Sequence, residues 1–158
     1  MRRCFLPLLL ALGLSSAAFG QSPAPRFQDY PVSERYHGPQ AAPRLMPGTP
    51  AWYFRTRIRE AARQKPNFAG RYVLAAWGCG AECLSSAIID VKTGAVFFDD
   101  TSVCCWFSPA LPEKPENFEP VDFRLNSRLV IMTGMLNEAG RNAPHFFKFE
   151  RGKLVAIR

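Results

Sequence analysis

Hydrophobic and polar residues follow two different periods along the chain, and the change falls at Pro66. After Pro66, short runs rich in Val, Ile, Phe and Tyr are separated by turn residues, a pattern typical of β-strands joined by short links. The runs are Arg71–Cys79, Cys83–Val91, Ala95–Asp99, Val121–Leu125, Arg128–Leu136, His145–Glu150 and Leu154–Ile157. We therefore expect a twisted antiparallel sheet of about seven short strands.

A single amphipathic helix is predicted before these runs. Thr49-Pro50 is a start signal, because threonine caps the first turn and proline is tolerated at the first helical position. Lys65-Pro66 supplies the stop. Between them apolar residues recur at helical spacing: Phe54, Ile58, Ala61 and Ala62. The expected fold class is α+β, with this helix packed on one face of the sheet; a small β-sandwich or an open barrel is the alternative.

The first residues have the pattern of a cleavable export signal. Two arginines precede the apolar run Cys4–Leu14, which suits a signal core and is too short to span a membrane. Small residues at Ala18 and Gly20 predict cleavage before Gln21. No later segment reaches the roughly 18 to 20 apolar residues of a transmembrane helix. We therefore expect residues 1–20 to be removed and the protein to be periplasmic or secreted.

The segment from residue 21 to residue 48 is rich in proline and polar residues. Its prolines are Pro23, Pro25, Pro31, Pro39, Pro43 and Pro47. This composition favours extended, mobile backbone rather than a packed core, so we expect a flexible arm. The remaining residues, 49–158, are of a size that makes one domain.

Basic residues are concentrated before Pro66. The chain has 20 Lys and Arg against 13 Asp and Glu, whereas the part from Pro66 to Arg158 carries ten of each. The predicted helix contributes Arg55, Arg57, Arg59 and Arg63. These arginines form either a binding surface for an anionic partner or an ordinary solvated helix face. Nucleic acid is not an expected partner, because no basic stripe interleaved with aromatic residues is present.

Four cysteines remain after the predicted cleavage: Cys79, Cys83, Cys104 and Cys105. An even number in an exported chain indicates two disulfides. A hairpin turn over Asp90–Gly94 places Cys83 opposite about residue 103, so we expect all four sulfur atoms at one end of the sheet. The pairing stays open among the three possible connectivities.

Metal binding and redox chemistry are the alternatives for this cluster. Cys-x3-Cys followed by an adjacent pair is not the spacing of a zinc site, and the thioredoxin-type Cys-x-x-Cys is missing from the sequence. Only His37 and His145 could act as bases at neutral pH, and neither stands in a recognisable nucleophile motif. No catalytic residue, metal or cofactor is predicted.

Several of these motifs occur together in a known family. Trp77–Cys83 reads W-G-C-G-A-E-C and is followed by the hairpin sequence Ala87–Gly94, A-I-I-D-V-K-T-G. In both, the chain resembles a family of small exported bacterial proteins with no assigned activity, over Phe68–Ile157. The resemblance implies an exported, single-domain, β-rich protein and carries over no catalytic residue.

The cysteine-rich end is also the predicted functional surface. Gly78 and Gly80 allow close approach of another backbone, while Trp77, Trp106 and Phe107 could form a rigid apolar contact surface. The alternative is that these aromatic residues only close the end of the sheet. We therefore expect an exported, non-catalytic module of the cell envelope that acts by binding or inhibition and is a monomer. Its partner would be an envelope protein or an anionic surface. The alternative functions for the protein itself are an envelope enzyme or redox protein that uses the cysteine cluster, and a structural component of the envelope.

Overall fold

The computed structural model describes residues 23–107 and 115–157, so the predicted signal segment lies outside the described residues. A 3-10 helix, Phe27–Asp29, and two α-helices, α1 (Pro50–Tyr53) and α2 (Arg55–Ala61), precede the sheet. Its strands are β1 (Tyr72–Gly80), β2 (Cys83–Asp90), β3 (Val96–Phe98), β4 (Val103–Cys104), β5 (Val121–Phe123), β6 (Leu129–Leu136), β7 (Ala139–Glu150) and β8 (Lys153–Ala156).

The sheet is antiparallel throughout and curls into a half-barrel. Its strand order is β1-β2-β4-β6-β7-β8, with β3 beside β2 and β5 beside β6. The expectation of a β-rich antiparallel fold is confirmed, and the curl brings it closer to the open-barrel alternative. The strand count differs from about seven because β4 spans only two residues and has no periodicity of its own.

Two hydrophobic cores lie on opposite faces of the sheet. Side chains alternate along a strand, so Leu74 and Ile88 face the inside of the curl while Val73 and Ile89 face the helices. The core inside the curl, the curl core, also receives Phe68 and residues of β5, β6 and β7. The core beneath the helices, the helix core, holds Ile58, which is fully buried.

The predicted helix is divided at Phe54. Thr49 caps α1 as expected, its side-chain oxygen accepting from the Trp52 amide at 3.3 Å. The backbone leaves helical geometry at Phe54, with φ −95° and ψ 19°. Its ring packs 5.2 Å from Trp77 and 5.4 Å from Phe98. The helix therefore breaks at the residue whose ring packs into the helix core. This packing outweighs the helical preference of the local sequence.

The proline-rich arm is bonded to the sheet. The amide of Ala41 donates to the carbonyl of Val91 at 2.7 Å, and that of Arg44 donates to Gly94 at 2.7 Å. Earlier in the arm, Tyr36 donates to Gly70 at 3.0 Å. These three residues, which fall in the segment predicted to be a flexible arm, thus have fixed backbone partners in the structure. Proline has no backbone N–H and so lowers the number of hydrogen-bond donors in the arm, but the remaining amides donate to carbonyl groups at the corners of the sheet.

Candidate functional site

The cysteines meet at the end of β1, β2 and β4. Cys83 lies directly opposite Cys104 in the β2–β4 ladder, one residue from the position predicted from the hairpin turn. Cys79 and Cys83 form a disulfide across the β1–β2 turn. Cys104 and Cys105 are free thiols, which differs from the expected two disulfides. Adjacent cysteines pair poorly because their Cα atoms are only about 3.8 Å apart.

The two free thiols are poorly placed for nucleophilic chemistry. Cys104 is buried. A hydrogen bond with the Cys104 side chain, loss of solvation and the charges of Glu138 and Glu82 raise the pKa of Cys105 to about 11. Because the thiolate is the reactive form, this raised pKa lowers the reactivity of the Cys105 thiol near neutral pH. This geometry disfavours the redox alternative.

The histidines do not complete a catalytic pair with these thiols. Nε2 of His145 lies 3.0 Å from the carbonyl oxygen of Gly134 and 3.3 Å from that of Arg141, so the ring links β6 to β7. His37 is exposed in the arm. Within the described ranges no three Asp, Glu, His or Cys side chains gather as a metal-binding group.

The two tryptophans of the predicted contact surface lie in different cores. Trp77 belongs to the helix core and Trp106 to the curl core, and each is only 8% exposed. They therefore share no surface, which corrects that part of the prediction. The reason is local: Cys105 has a left-handed backbone (φ 59°), which changes the alternation after β4. Phe107 does lie outside, 57% exposed.

The predicted glycines lie at an open edge of the sheet. β1 pairs with β2 on one side only, and its Ala76, Gly78 and Gly80 are exposed. On the outer side, the Asn67 side chain acts as a substitute strand for Leu74: its Oδ1 accepts from the Leu74 amide at 2.8 Å and its Nδ2 donates to the Leu74 carbonyl at 3.1 Å.

The direction of these bonds identifies the next free backbone groups. In an antiparallel ladder alternate residues direct both N–H and C=O to the same side. Because the backbone N–H and C=O of Leu74 point away from β2, those of Ala76 and Gly78 point away from β2 too. Among the described residues, 23–107 and 115–157, no backbone group pairs with Ala76 or Gly78 on the side away from β2. We call the stretch Ala76–Gly80 the open edge.

A groove of about 350 Å³ runs beside the open edge. Arg57 and Glu60 of α2 line one side of it, and Val121 and Phe123 of β5 line the other. The groove therefore has one polar wall and one apolar wall. The sequence offers no signal for this arrangement, since Asn67 in N-F-A-G reads as an ordinary turn residue.

The four arginines of the predicted basic helix are exposed. Arg57 lies 3.7 Å from Glu60, and the Arg55 guanidinium lies 5.0 Å from the centre of the Trp52 ring. Arg59 and Arg63 line a shallow groove beside the arm. Two of the four charges are thus engaged within the helices, as in an ordinary solvated face.

Comparisons with protein-family models, curated proteins and solved structures find no match to this chain. None of the helices in the described residues is long and apolar enough to cross a membrane. The Cys79–Cys83 disulfide is compatible with an extracytoplasmic location.

Proposed function

We propose that this protein is an exported, monomeric, non-catalytic binding module of the cell envelope that captures an extended segment of a partner protein. The segment adds to β1 as a further strand. The observation that carries the proposal is the pair of outward backbone positions, Ala76 and Gly78, at an exposed edge beside a groove. Strand addition of this kind draws affinity from main-chain hydrogen bonds and specificity from alternate side chains.

The walls of the groove define the chemistry of the segment. A residue opposite Ala76 shares its face of the sheet, which is the face of Val121 and Phe123. The neighbouring residues of the segment face Arg57 and Glu60 instead. The partner segment therefore alternates apolar with polar or charged residues.

The cysteine end supports this role by rigidity. The Cys79–Cys83 disulfide closes the β1–β2 turn next to the open edge. A pre-ordered edge loses less conformational entropy on association than a mobile one. The disulfide, the residues of the export signal and the resemblance to small exported proteins support the location in the envelope. A redox protein or an enzyme that uses Cys105 as its nucleophile is less well supported, because the pKa of this thiol is raised to about 11.

Short extended peptides with alternating apolar and charged residues test the proposal, with block-scrambled peptides of the same composition as controls. We expect alternating peptides to bind in fluorescence anisotropy and to slow hydrogen exchange at the amides of Ala76 and Gly78. Two N-methylated versions of a bound peptide extend the test, one methylated at the odd backbone nitrogens and the other at the even ones. Only one of the two sets faces β1 in an added strand, so only one version should lose binding.

A matched pair of variants tests the edge itself. Ala76→Pro removes the outward N–H and leaves the β1–β2 ladder intact, whereas Ala76→Ser keeps that N–H. We expect about tenfold weaker peptide binding for Ala76→Pro and little change for Ala76→Ser. Equal affinities would contradict strand addition. Dimerisation through β1 at micromolar concentration would instead make a second copy the occupant of the edge.

A further inference from the structure

A second cleft lies between the arm and the start of β1. It has a volume of about 480 Å³ and is lined by Val32–Tyr36 from the arm, by Arg71 just before β1 and by Tyr72 of β1. This volume falls in the range of small-molecule sites. We call it the arm cleft; it shares no lining residue with the groove beside the open edge.

The lining of the arm cleft is strongly basic. Four cations surround it, Arg35, Arg71, Lys92 and Arg128, whereas Glu34 is its single acidic lining residue. Within the described residues no ion pair joins Arg35, Lys92 or Arg128 to an acid. Three of the four cations therefore have no acidic ion-pair partner among the described residues, whereas Arg71 is paired with Asp90.

Two of the arginines that line the cleft have a buried donor without a partner. The Nε atoms of Arg71 and Arg128 are buried and have no hydrogen-bond partner among the described residues. A buried donor without a partner is costly, so most such groups in proteins are satisfied. Glu150 is close enough to sense the charge of Arg128, but its carboxylate is already bonded to Lys148 at 2.9 Å.

The Arg71 side chain and the Arg128 backbone are both held in place before any ligand binds. The Arg71 guanidinium contacts the buried Asp90 carboxylate at 3.0 Å and lies 5.1 Å from the centre of the Tyr72 ring. The backbone of Arg128 is fixed on both sides, since its amide donates to Tyr30 and its carbonyl accepts from Phe149, each at 2.8 Å. Guanidinium groups match oxyanions by paired N–H donors.

We propose that the arm cleft binds the phosphate group of a small organic molecule. The phosphate accepts from Arg71 and Arg128, Lys92 and Arg35 add attraction at the rim, and the rest of the molecule occupies the remaining volume. A phosphate fits better than a carboxylate, because it carries more charge and three terminal oxygens for two guanidinium groups. This site is independent of the open edge and does not rest on the function proposed there.

Isothermal titration calorimetry of the full folded protein with phenyl phosphate, inorganic phosphate and benzoate tests the site. We expect phenyl phosphate to bind most tightly and its affinity to fall as salt is raised. Arg128→Gln should weaken it about tenfold or more, and Arg55→Gln, an exposed arginine outside the cleft, should leave it unchanged. Thermal melting checks that each variant is folded.

If Arg128→Gln does not fold, the double variant Arg35→Gln/Lys92→Gln keeps the test decisive, because both side chains are exposed. We expect it to weaken phenyl phosphate binding severalfold. Equal binding of benzoate would overturn the assignment to phosphate. Binding to vesicles of phosphatidylglycerol but not to phenyl phosphate would overturn the small-molecule assignment in favour of a lipid headgroup. Wild-type affinity in the folded charge variants would overturn the site itself.

Discussion

Two corners of the sheet carry a pair of glycines each, and the pairs have opposite surroundings. At the arm corner, Gly70 and Gly94 have left-handed backbones, with φ 79° and 73°. The carbonyl oxygens of Glu34 and Ala42 lie where a Cβ atom would stand. At the cysteine end, the atoms nearest to such a Cβ belong to Cys83, 4.0 Å from a Cβ added at Gly78 and 3.9 Å from one added at Gly80.

The difference shows how one residue type serves two purposes. The arm corner uses glycine to admit a backbone of the same chain, and the arm then takes up the carbonyls of Gly70 and Gly94. At the cysteine end the room beside glycine stays open, and the outward groups of Ala76 and Gly78 have no partner in the described residues. The arm corner is thus occupied by the arm of the same chain, whereas the cysteine end is suited to a strand of a partner.

Truncating a tryptophan at the cysteine end should have the largest effect. Trp106 is buried in the curl core, so Trp106→Ala should lower the free energy of unfolding by about 3–5 kcal/mol. Its exposed neighbour provides the matched control, and Phe107→Ala should cost less than about 0.5 kcal/mol. Urea denaturation measures both. Unchanged stability of Trp106→Ala would make this residue part of an external surface.

Alanine at one glycine of each corner compares the two directly. Gly94→Ala should destabilise by about 2 kcal/mol or more, because its φ is 73° and its Cβ would meet the Ala42 carbonyl. Gly78→Ala should change stability by less than about 1 kcal/mol, because its surroundings are open. Thermal melting and limited proteolysis of the arm are the measurements. Similar effects at both positions would remove the distinction between the corners.

Removing the disulfide should have an intermediate effect. The Cys79–Cys83 loop is short, so the double variant Cys79→Ser/Cys83→Ser should lose about 2 kcal/mol by the loop-entropy estimate. We also expect faster hydrogen exchange along the open edge, because the turn beside it is no longer closed. Retained exchange protection would show that the β1–β2 ladder alone orders this end.

The smallest effect on stability concerns Cys105. Because its pKa is raised to about 11, alkylation of Cys105 by iodoacetamide at pH 8 should be up to about a hundredfold slower than that of an ordinary exposed thiol. The folded state favours the protonated form, so its stabilising contribution is complete below pH 9 and is lost as pH rises towards 11. Mass spectrometry of the alkylated protein over pH 7–11 measures the profile. Rapid labelling at pH 8 would revive the redox alternative.

Residues that act through local rules were predictable. The cap at Thr49, the burial of Ile58 and the turn that places Cys83 opposite β4 follow from spacing and turn chemistry alone. The open edge was predictable only in part. Gly78 and Gly80 were identified, but the pairing of Asn67 with Leu74 depends on how the chain folds back before β1.

The sequence by itself determined the antiparallel strands, the apolar side of the helical segment and the meeting of the cysteines near Cys83. Alternation and capping are short-range preferences, and they survive in any compact arrangement of this chain. Only the tertiary structure decided the break at Phe54, the docking of the arm and the separation of Trp77 from Trp106. Each of these depends on contacts between segments distant in the chain, whose geometry no local pattern records.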